Sequence, residues 1–354
     1  MLSMTKWVGA VVVGTGLFAG VLQAQTFALY SPAMVKGLRG QRDTDAAKAV
    51  LNAAAGEVKE TPHPMARVHT EGTLPHQGIR DESIEAERDL DKMQNLAFAY
   101  RLTGDTAYLA KASEFMDAWV SLYKVSGNPI DETRFEPMVV AFDLTRGVLK
   151  PELETKLVAF FRGMSETYLD WLDANFAKDP YNWSSHRVKL AMLGALESGD
   201  RGLMTRAANS YSRQVHQNIR PDGSVNDFYK RDALHYVTYD LEPLEVVALA
   251  VKAHGQDCFH TAVAGKPSLE MGVDWLVPFA TGQKTHEEFK NSSVKFDAAR
   301  ANVGEKGYSG QWEAGTSANL FAMATWLDPK YAPVAAKLGG KTPPWVALGM
   351  GAAN

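Results

Sequence analysis

Pro221-Asp222-Gly223-Ser224-Val225-Asn226-Asp227-Phe228-Tyr229-Lys230-Arg231-Asp232-Ala233-Leu234-His235-Tyr236-Val237-Thr238-Tyr239-Asp240-Leu241-Glu242-Pro243-Leu244 joins a turn to a helix of unusual content. Pro-Asp-Gly is a turn signal. A helical pattern then runs from Arg231 to His254, with no alternation of the strand type. Arg231, His235 and Tyr239 follow at i, i+4 and i+8, which predicts one broad helix face, with Tyr236 at its edge. A cation, an imidazole and a phenol on one face suit binding an anion and moving protons.

Outward from this stretch the pattern stays helical. Apolar residues recur at helical spacing over 85–102, where Gly104 stops the run, and again from Asp105 through Trp119. Further helices are expected over 43–55, 136–149, 153–175, 185–197, 201–219 and 317–326. The connections Thr103-Gly104-Asp105 and Ser198-Gly199-Asp200 are so short that the helices they join must run antiparallel. Hairpins recur roughly every forty to fifty residues, as in helical repeat architectures. Long polar loops rich in Asn, His, Trp, Arg and Tyr interrupt them, which favours hairpins closed into a toroid with a cleft at one end over an open solenoid. The expected fold is all-α, an (α/α) barrel of antiparallel hairpins.

The N-terminus reads as a secretory signal over residues 1–24. Lys6 precedes the apolar run Val8 to Leu22, and Leu22-Gln23-Ala24 is a cleavage site. One catalytic domain is expected over 25–354, in the periplasm or outside a bacterial cell, with no membrane association once the signal is removed. The net charge of -4 provides no general attraction to nucleic acid, so an anionic ligand needs a local basic cleft. The single cysteine, Cys258, excludes an intramolecular disulfide and a cysteine-only metal site. Nothing in the spacing of the histidines calls for a metal, and no cofactor is expected. The sequence leaves the oligomeric state open.

A second polar cluster, Asp179-Pro180-Tyr181-Asn182-Trp183-Ser184-Ser185-His186-Arg187, sits at an expected helix start with Ser184 or Ser185 as N-cap. An amide, an imidazole and a guanidinium near a helix N-terminus favour a carboxylate. The two clusters together suit β-elimination from a uronic acid. Removing the weakly acidic C5 proton builds a second negative charge beside the sugar carboxylate, so that carboxylate must be neutralised. A base then takes the proton and an acid protonates O4. Asn182, His186, Arg231 and Tyr239 could supply these roles.

The pair of segments resembles the alginate lyase-like (α/α)-barrel polysaccharide lyases. Those enzymes carry an Asn-His segment at a helix start. About fifty residues later comes a helix of the form Arg-Ala-Leu-x-Tyr-His-x-Tyr-Ala-Leu-x-Pro-Leu. Here Ala233-Leu234, Tyr236, Tyr239 and Pro243-Leu244 fit that form, while Asp232 stands where the arginine is expected and Arg231 is one residue earlier. The histidine is also displaced, to His186. The resemblance implies that Tyr239 is the catalytic tyrosine, that Asn182 helps neutralise the carboxylate, and that His186 and Arg231 assist. It implies an acidic polysaccharide substrate, alginate or β-1,4-glucuronan. Mannuronate and glucuronate differ only at C2, so one ionised tyrosine could serve as base and then acid on either. Arg231 or a protonated His186 would lower its pKa. Guluronate has the opposite C5 configuration and would need a separate base such as His186.

Tyr236, His235, Trp183 and Arg187 are expected to contact substrate. Tyr308 and Trp312 could stack on sugar faces, with Lys290, Lys295, Arg300 and Lys306 as further basic residues before them. Arg67, His69, His76 and Arg80 could close over the substrate from a Gly/Pro-punctuated loop, and Arg134 could face the cleft from a helix start. Two other function classes remain open. A glycoside hydrolase would need two carboxylic acids across a cleft, for which Asp222, Asp227, Asp131 and Glu136 are available. A non-catalytic protein would bind an acidic polysaccharide without shortening it.

Overall fold

A glycine in left-handed conformation ends one helix and an aspartate starts the next at both of the tightest connections. Gly104 has φ 81° and Gly199 has φ 70°, angles that a residue with a Cβ adopts reluctantly. Asp105 and Asp200 then accept the first free amides, from Ala107 in one case and from Gly202 and Leu203 in the other. The chain reverses within two residues each time, so these helices lie antiparallel. The computed structural model describes residues 26–175, 178–261, 265–340 and 342–353. The expected signal, residues 1–24, lies outside the described residues.

The α-helices, in order, are α1 (Pro32–Gly37), α2 (Asp45–Glu57), α3 (Arg80–Thr103), α4 (Thr106–Leu122), α5 (Glu136–Thr145), α6 (Pro151–Asn175), α7 (Asn182–Ser198), α8 (Arg201–Asn218), α9 (Asn226–Arg231), α10 (Leu234–Ala253), α11 (Leu269–Ala280), α12 (Lys295–Asn302), α13 (Ala318–Leu327), α14 (Ala332–Leu338) and α15 (Pro344–Ala353). Among the described residues the only β pairing is two isolated bridges, Ile219 with Val225 and Glu287 with Gln311. No described helix is long and apolar enough to cross a membrane.

Packing closes the helices into a ring. Helix α3 packs on α5, α5 on α7, α7 on α10, α10 on α13 and α13 on α15. Helix α15 then meets α2, which packs back on α3. Helices α4, α6 and α8 form an outer layer behind them. This is the expected (α/α) toroid, and the burial pattern explains it. Outer helices such as α6 and α8 bury one stripe and leave the rest to water. Along α7, every residue from Ser184 to Glu197 is buried, because neighbours cover it on both sides. Helix α10 is nearly as enclosed.

Two expected boundaries are corrected. Helix α7 starts at Asn182, with Tyr181 in the capping position, and Ser184 and Ser185 lie buried inside its first turn. Ser185 is used instead to donate a hydrogen bond to Asp240, whose other oxygen accepts from Asn218. The continuous helix from Arg231 to His254 is in fact two. Helix α9 ends at Arg231, Asp232 takes a left-handed φ of 50°, Ala233 is extended, and α10 begins at Leu234. Aspartate occupies left-handed backbone at modest cost. The loop 286–291 holds it there: Phe289 N–H donates to the Asp232 carbonyl, and Asn291 donates from backbone and side chain to the Asp232 carboxylate. The same loop sends Glu288 to the start of α10, where its carboxylate accepts from the amides of Leu234 and His235 at 2.8 and 3.0 Å.

At the other end of the ring, Asp143 in α5 pins the segment before α1. Its carboxylate accepts the backbone N–H groups of Ala28, Leu29 and Tyr30 at 2.8, 2.7 and 2.9 Å, all buried. Asp143→Ala strands three buried donors at once. We expect a loss of about 3 kcal/mol in urea unfolding, with the folded variant keeping its helical circular dichroism. A loss below about 1 kcal/mol would mean that water reaches these amides.

Candidate active site

The ring encloses a cleft of about 630 Å³. Three of its helices each present one stripe to it at helical spacing. Helix α3 contributes Arg80, Ile84, Glu87 and Asp91. Helix α7 contributes Asn182, His186 and Lys189, and α10 contributes His235, Tyr239, Glu242 and Val246. Trp183, Thr133, Arg134 and Glu136 line it too. Arg231, Tyr236, Arg300 and Tyr308 close the remaining side.

The Tyr239 and His186 rings meet across α7 and α10 with centroids 4.3 Å apart. The Tyr239 hydroxyl makes no hydrogen bond to a described residue. Burial pushes its pKa up, with Tyr236 adding to the rise, and Arg300 is the cation that opposes it. The expectation that Arg231 or a protonated His186 lowers this pKa is therefore corrected. His186 is fully enclosed, and burial, then the Lys189 ammonium, hold its pKa well below the ordinary value, so it is neutral at neutral pH. Its Nδ1 shares a 2.7 Å hydrogen bond with the Thr133 hydroxyl. Pro243, lacking an N–H, leaves the Tyr239 carbonyl without its helical donor. That carbonyl acts on the His186 ring and pulls its pKa partway back. Nε2 is buried without a hydrogen bond of normal geometry.

Asn182 is buried and fastened to Asp227, by its backbone N–H at 2.7 Å and by Nδ2 at 2.9 Å. One amide hydrogen stays uncommitted. Arg231 does not share the α10 face, because the break at Asp232 puts it on α9. It reaches the site by folding its guanidinium over the Tyr236 ring, 3.8 Å from the centroid. There it pairs with buried Asp297 and, at 3.7 Å, with Asp227. His235 lies between Tyr236 and Tyr308, each ring 5.2 Å away. Burial, then Arg300 and Arg231, push its pKa down to about 4.

Several expected contacts fall elsewhere. Arg187 follows His186 by one residue and so points about 100° away, outward. It lies 3.3 Å over the Trp171 ring and pairs with Asp179. His69 buttresses the loop by bonding Asp131 at 2.9 Å, and it is Thr70, Glu71 and Gly72 that border the cleft. His76 is exposed and paired with Asp81, and Arg67 is exposed away from the cleft. Arg134 and Tyr308 do line it. Trp312 lines an adjoining cavity of about 510 Å³ that shares His235, Tyr239 and Glu242 with the cleft. The carboxylates available to a hydrolase are committed. Asp131 accepts the amides of Thr70 and Glu71, Asp222 holds Ser224, Asp227 holds Asn182, and Glu136 pairs with Lys189.

Thr133, Lys189, Glu87 and Glu242 were not anticipated from the sequence. The signal was present for the last three: each continues an i, i+4, i+7 stripe. Glu87 and Glu242 are both raised to about 7, chiefly by burial. Arg134 lowers the first while Asp131 and Asp91 raise it; Lys189 lowers the second while Glu136 raises it. Each folded pKa lies above its unfolded value, so the folded state holds the extra proton between about 4.5 and 7. Stability then falls as pH rises through that window. Above it the cleft has gained two negative charges. KM for a polyanion should therefore rise roughly threefold between pH 6 and 8, and Glu242→Gln should flatten about half of that rise. Initial rates across that range check this, and a KM that falls with pH would refute it.

A family model described as alginate lyase matches residues 38–286. No curated protein is significantly similar in sequence. The structure is similar to that of an alginate lyase from Bacteroides ovatus, at 16% identity and a TM-score of 0.64, covering 90% of this chain and 96% of that one. It is also similar to alginate lyase A1-III from Sphingomonas species A1, at 18% identity and 0.54, covering 71% and 78%. A Tyr-to-Phe variant of A1-III complexed with a tetrasaccharide matches at 16% and 0.54, covering 73% and 80%. The family match spans both the α7 and the α10 stripes of the cleft, and this chain belongs to the alginate lyase family as a polysaccharide lyase.

Proposed function

We propose that the protein depolymerises a 1,4-linked polyuronate by β-elimination, with mannuronate-rich alginate as preferred substrate and β-1,4-glucuronan as the second that the chemistry admits. The observation that carries this is the Tyr239–His186 pair, a phenol with no hydrogen bond to a described residue, packed on a neutral imidazole in a cleft whose described lining includes five cationic side chains. The substrate lies across the α7 and α10 stripes with C5 and O4 over Tyr239. The ionised fraction of Tyr239 removes the C5 proton. The C5 electrons form the C4–C5 double bond as the C4–O4 bond breaks, and the new phenol returns its proton to O4. That restores the phenolate and leaves an unsaturated sugar at one end and a free hydroxyl at the other. Asn182 offers its uncommitted amide hydrogen to the substrate, and His186 contributes a neutral ring. Trp183 supplies a sugar-stacking face along the cleft, whereas the Tyr308 ring is buried and stacked on Phe289. The chain's own acidic substrate requires no other partner in this scheme, and export after removal of residues 1–24 would place the protein where such polymers occur.

The test is absorbance at ~235 nm, typical of the unsaturated product of the elimination step, on polymannuronate, polyguluronate, glucuronan and hyaluronan. The largest initial rate should come with polymannuronate. Shortened chains without the absorbance would replace elimination by hydrolysis. Binding without shortening would make this a capture protein.

A further inference from the structure

Among the described residues, five cationic side chains line the cleft, and their partners are unequal. Lys189 donates to Glu136 and to the Thr133 carbonyl. Arg134 has Asp91 at 2.6 Å and Glu87 at 4.0 Å. Arg231 has two fully buried acids, Asp297 and Asp227. Only the last two, Arg80 and Arg300, share one carboxylate. Glu305 sets Oε1 at 3.2 Å from Arg80 Nη2 and Oε2 at 3.5 Å from Arg300 Nε. The second contact is too long for a hydrogen bond, and Glu305 Oε2 and Arg300 Nε both remain buried without one. The cleft's uncompensated positive charge is therefore at this corner.

That corner is built. Arg300 Nη1 donates to the hydroxyls of Tyr236, at 3.2 Å, and of Tyr308. Tyr236 in turn meets Tyr239 edge-to-face, with centroids 6.0 Å apart. The guanidinium is thus fixed one ring away from the hydroxyl at the centre of the proposed reaction. Arg300, Glu305 and Tyr308 also lie beyond residues 38–286, the segment matched by the family model.

We propose that Arg300, held by Tyr236 and Tyr308, receives the substrate carboxylate during elimination, and that Glu305 occupies its place in the free protein as an internal carboxylate. The proposal rests on the lyase reading and assigns the neutralising charge within it. Arg231 then serves as a structural cation that orders α9 against Asp297. An incoming uronate displaces Glu305 from Arg300, and Glu305 keeps its contact with Arg80.

The experiment compares wild type, Arg300→Met, Arg300→Lys, Glu305→Gln and Arg231→Met on polymannuronate and on its methyl ester. Thermal melts check each fold. Arg300→Met should lose about a hundredfold in kcat/KM on the acid polymer and only about tenfold on the ester, where the substrate charge is absent and only the cation beside the Tyr239 hydroxyl is lost. Arg300→Lys should recover at least about tenfold, since it restores a cation without the planar fork. Glu305→Gln should lower KM on the acid polymer severalfold with little change in kcat. Arg231→Met should affect acid and ester alike. Equal losses for Arg300→Met on both substrates, or an acid-selective loss in Arg231→Met instead, would overturn the assignment while leaving the lyase reading intact. Calorimetric binding of a mannuronate tetrasaccharide to Tyr239→Phe, with and without Arg300→Met, decides the matter even in the absence of turnover. Affinity should drop at least about thirtyfold, and an unchanged affinity refutes the proposal. Wild type that cleaves no uronate overturns the lyase reading separately.

Discussion

Tyr239→Phe should lower kcat on polymannuronate by at least ~1000-fold and leave tetrasaccharide affinity within about threefold. The substitution removes one oxygen that bonds to no described residue, and it keeps the ring against His186. The fold therefore has no reason to change, and the loss reads directly on proton transfer. Wild type carries a further signature. Burial holds the phenol well above its ordinary pKa, opposed by Arg300. Only a small phenolate fraction exists at neutral pH, and it grows tenfold for each pH unit. The wild-type kcat should accordingly climb into the alkaline range with a slope near one. A flat profile, or a variant that keeps a tenth of the activity, would remove Tyr239 from the role of base.

The second large effect is expected at His186. His186→Ala should cost about a hundredfold or more in kcat, since one positioned acid–base or hydrogen-bonding group commonly contributes ~10²–10⁴. Its ring is neutral near pH 7. It therefore cannot act there as a fixed cation, and its removal should leave the slope of the alkaline limb unchanged. If His186 were itself the base, the variant would lose the limb's remaining activity on polyguluronate first, because that sugar presents its C5 proton on the opposite face. Thr133→Val leaves the imidazole in place and deletes only the 2.7 Å bond that orients it. A milder loss, about tenfold, is expected there, and an effect as large as that of His186→Ala would show that the tautomer is decisive.

Helical periodicity made the toroid and the His235–Tyr239 face legible in the sequence, because those residues are four apart within one helix and local geometry alone brings them together. Asn182 shares a face with His186 only because α7 starts at Asn182, three residues before the expected boundary. What escaped was decided by contacts between distant segments. The helix break at Asp232 depends on the loop 286–291, more than fifty residues onward, and without that loop the Arg231–His254 pattern reads as continuous. Arg300 stood in the sequence as one of four basic residues before Tyr308 and Trp312, with nothing local to single it out, since the two phenols that hold it come from elsewhere in the fold and from a loop. The loop histidines failed for the opposite reason. His69 and His76 have reactive side chains, yet nearby aspartates had already claimed them.

The closing of the ring also bears on how the chain assembles. Helix α2 meets α15, Tyr30 donates to the carbonyl of Trp345, and Gln41 reaches that of Leu348 at 2.9 Å. These contacts join residues some three hundred positions apart. During synthesis the early helices must wait for the last one, with the apolar flank of α2 uncovered in the meantime. Contacts so distant in sequence are slow to form and favour populated intermediates. The final docking of α15 is therefore the natural slow step of folding. The same seam is where an unfinished chain would be most prone to aggregate or to recruit a chaperone.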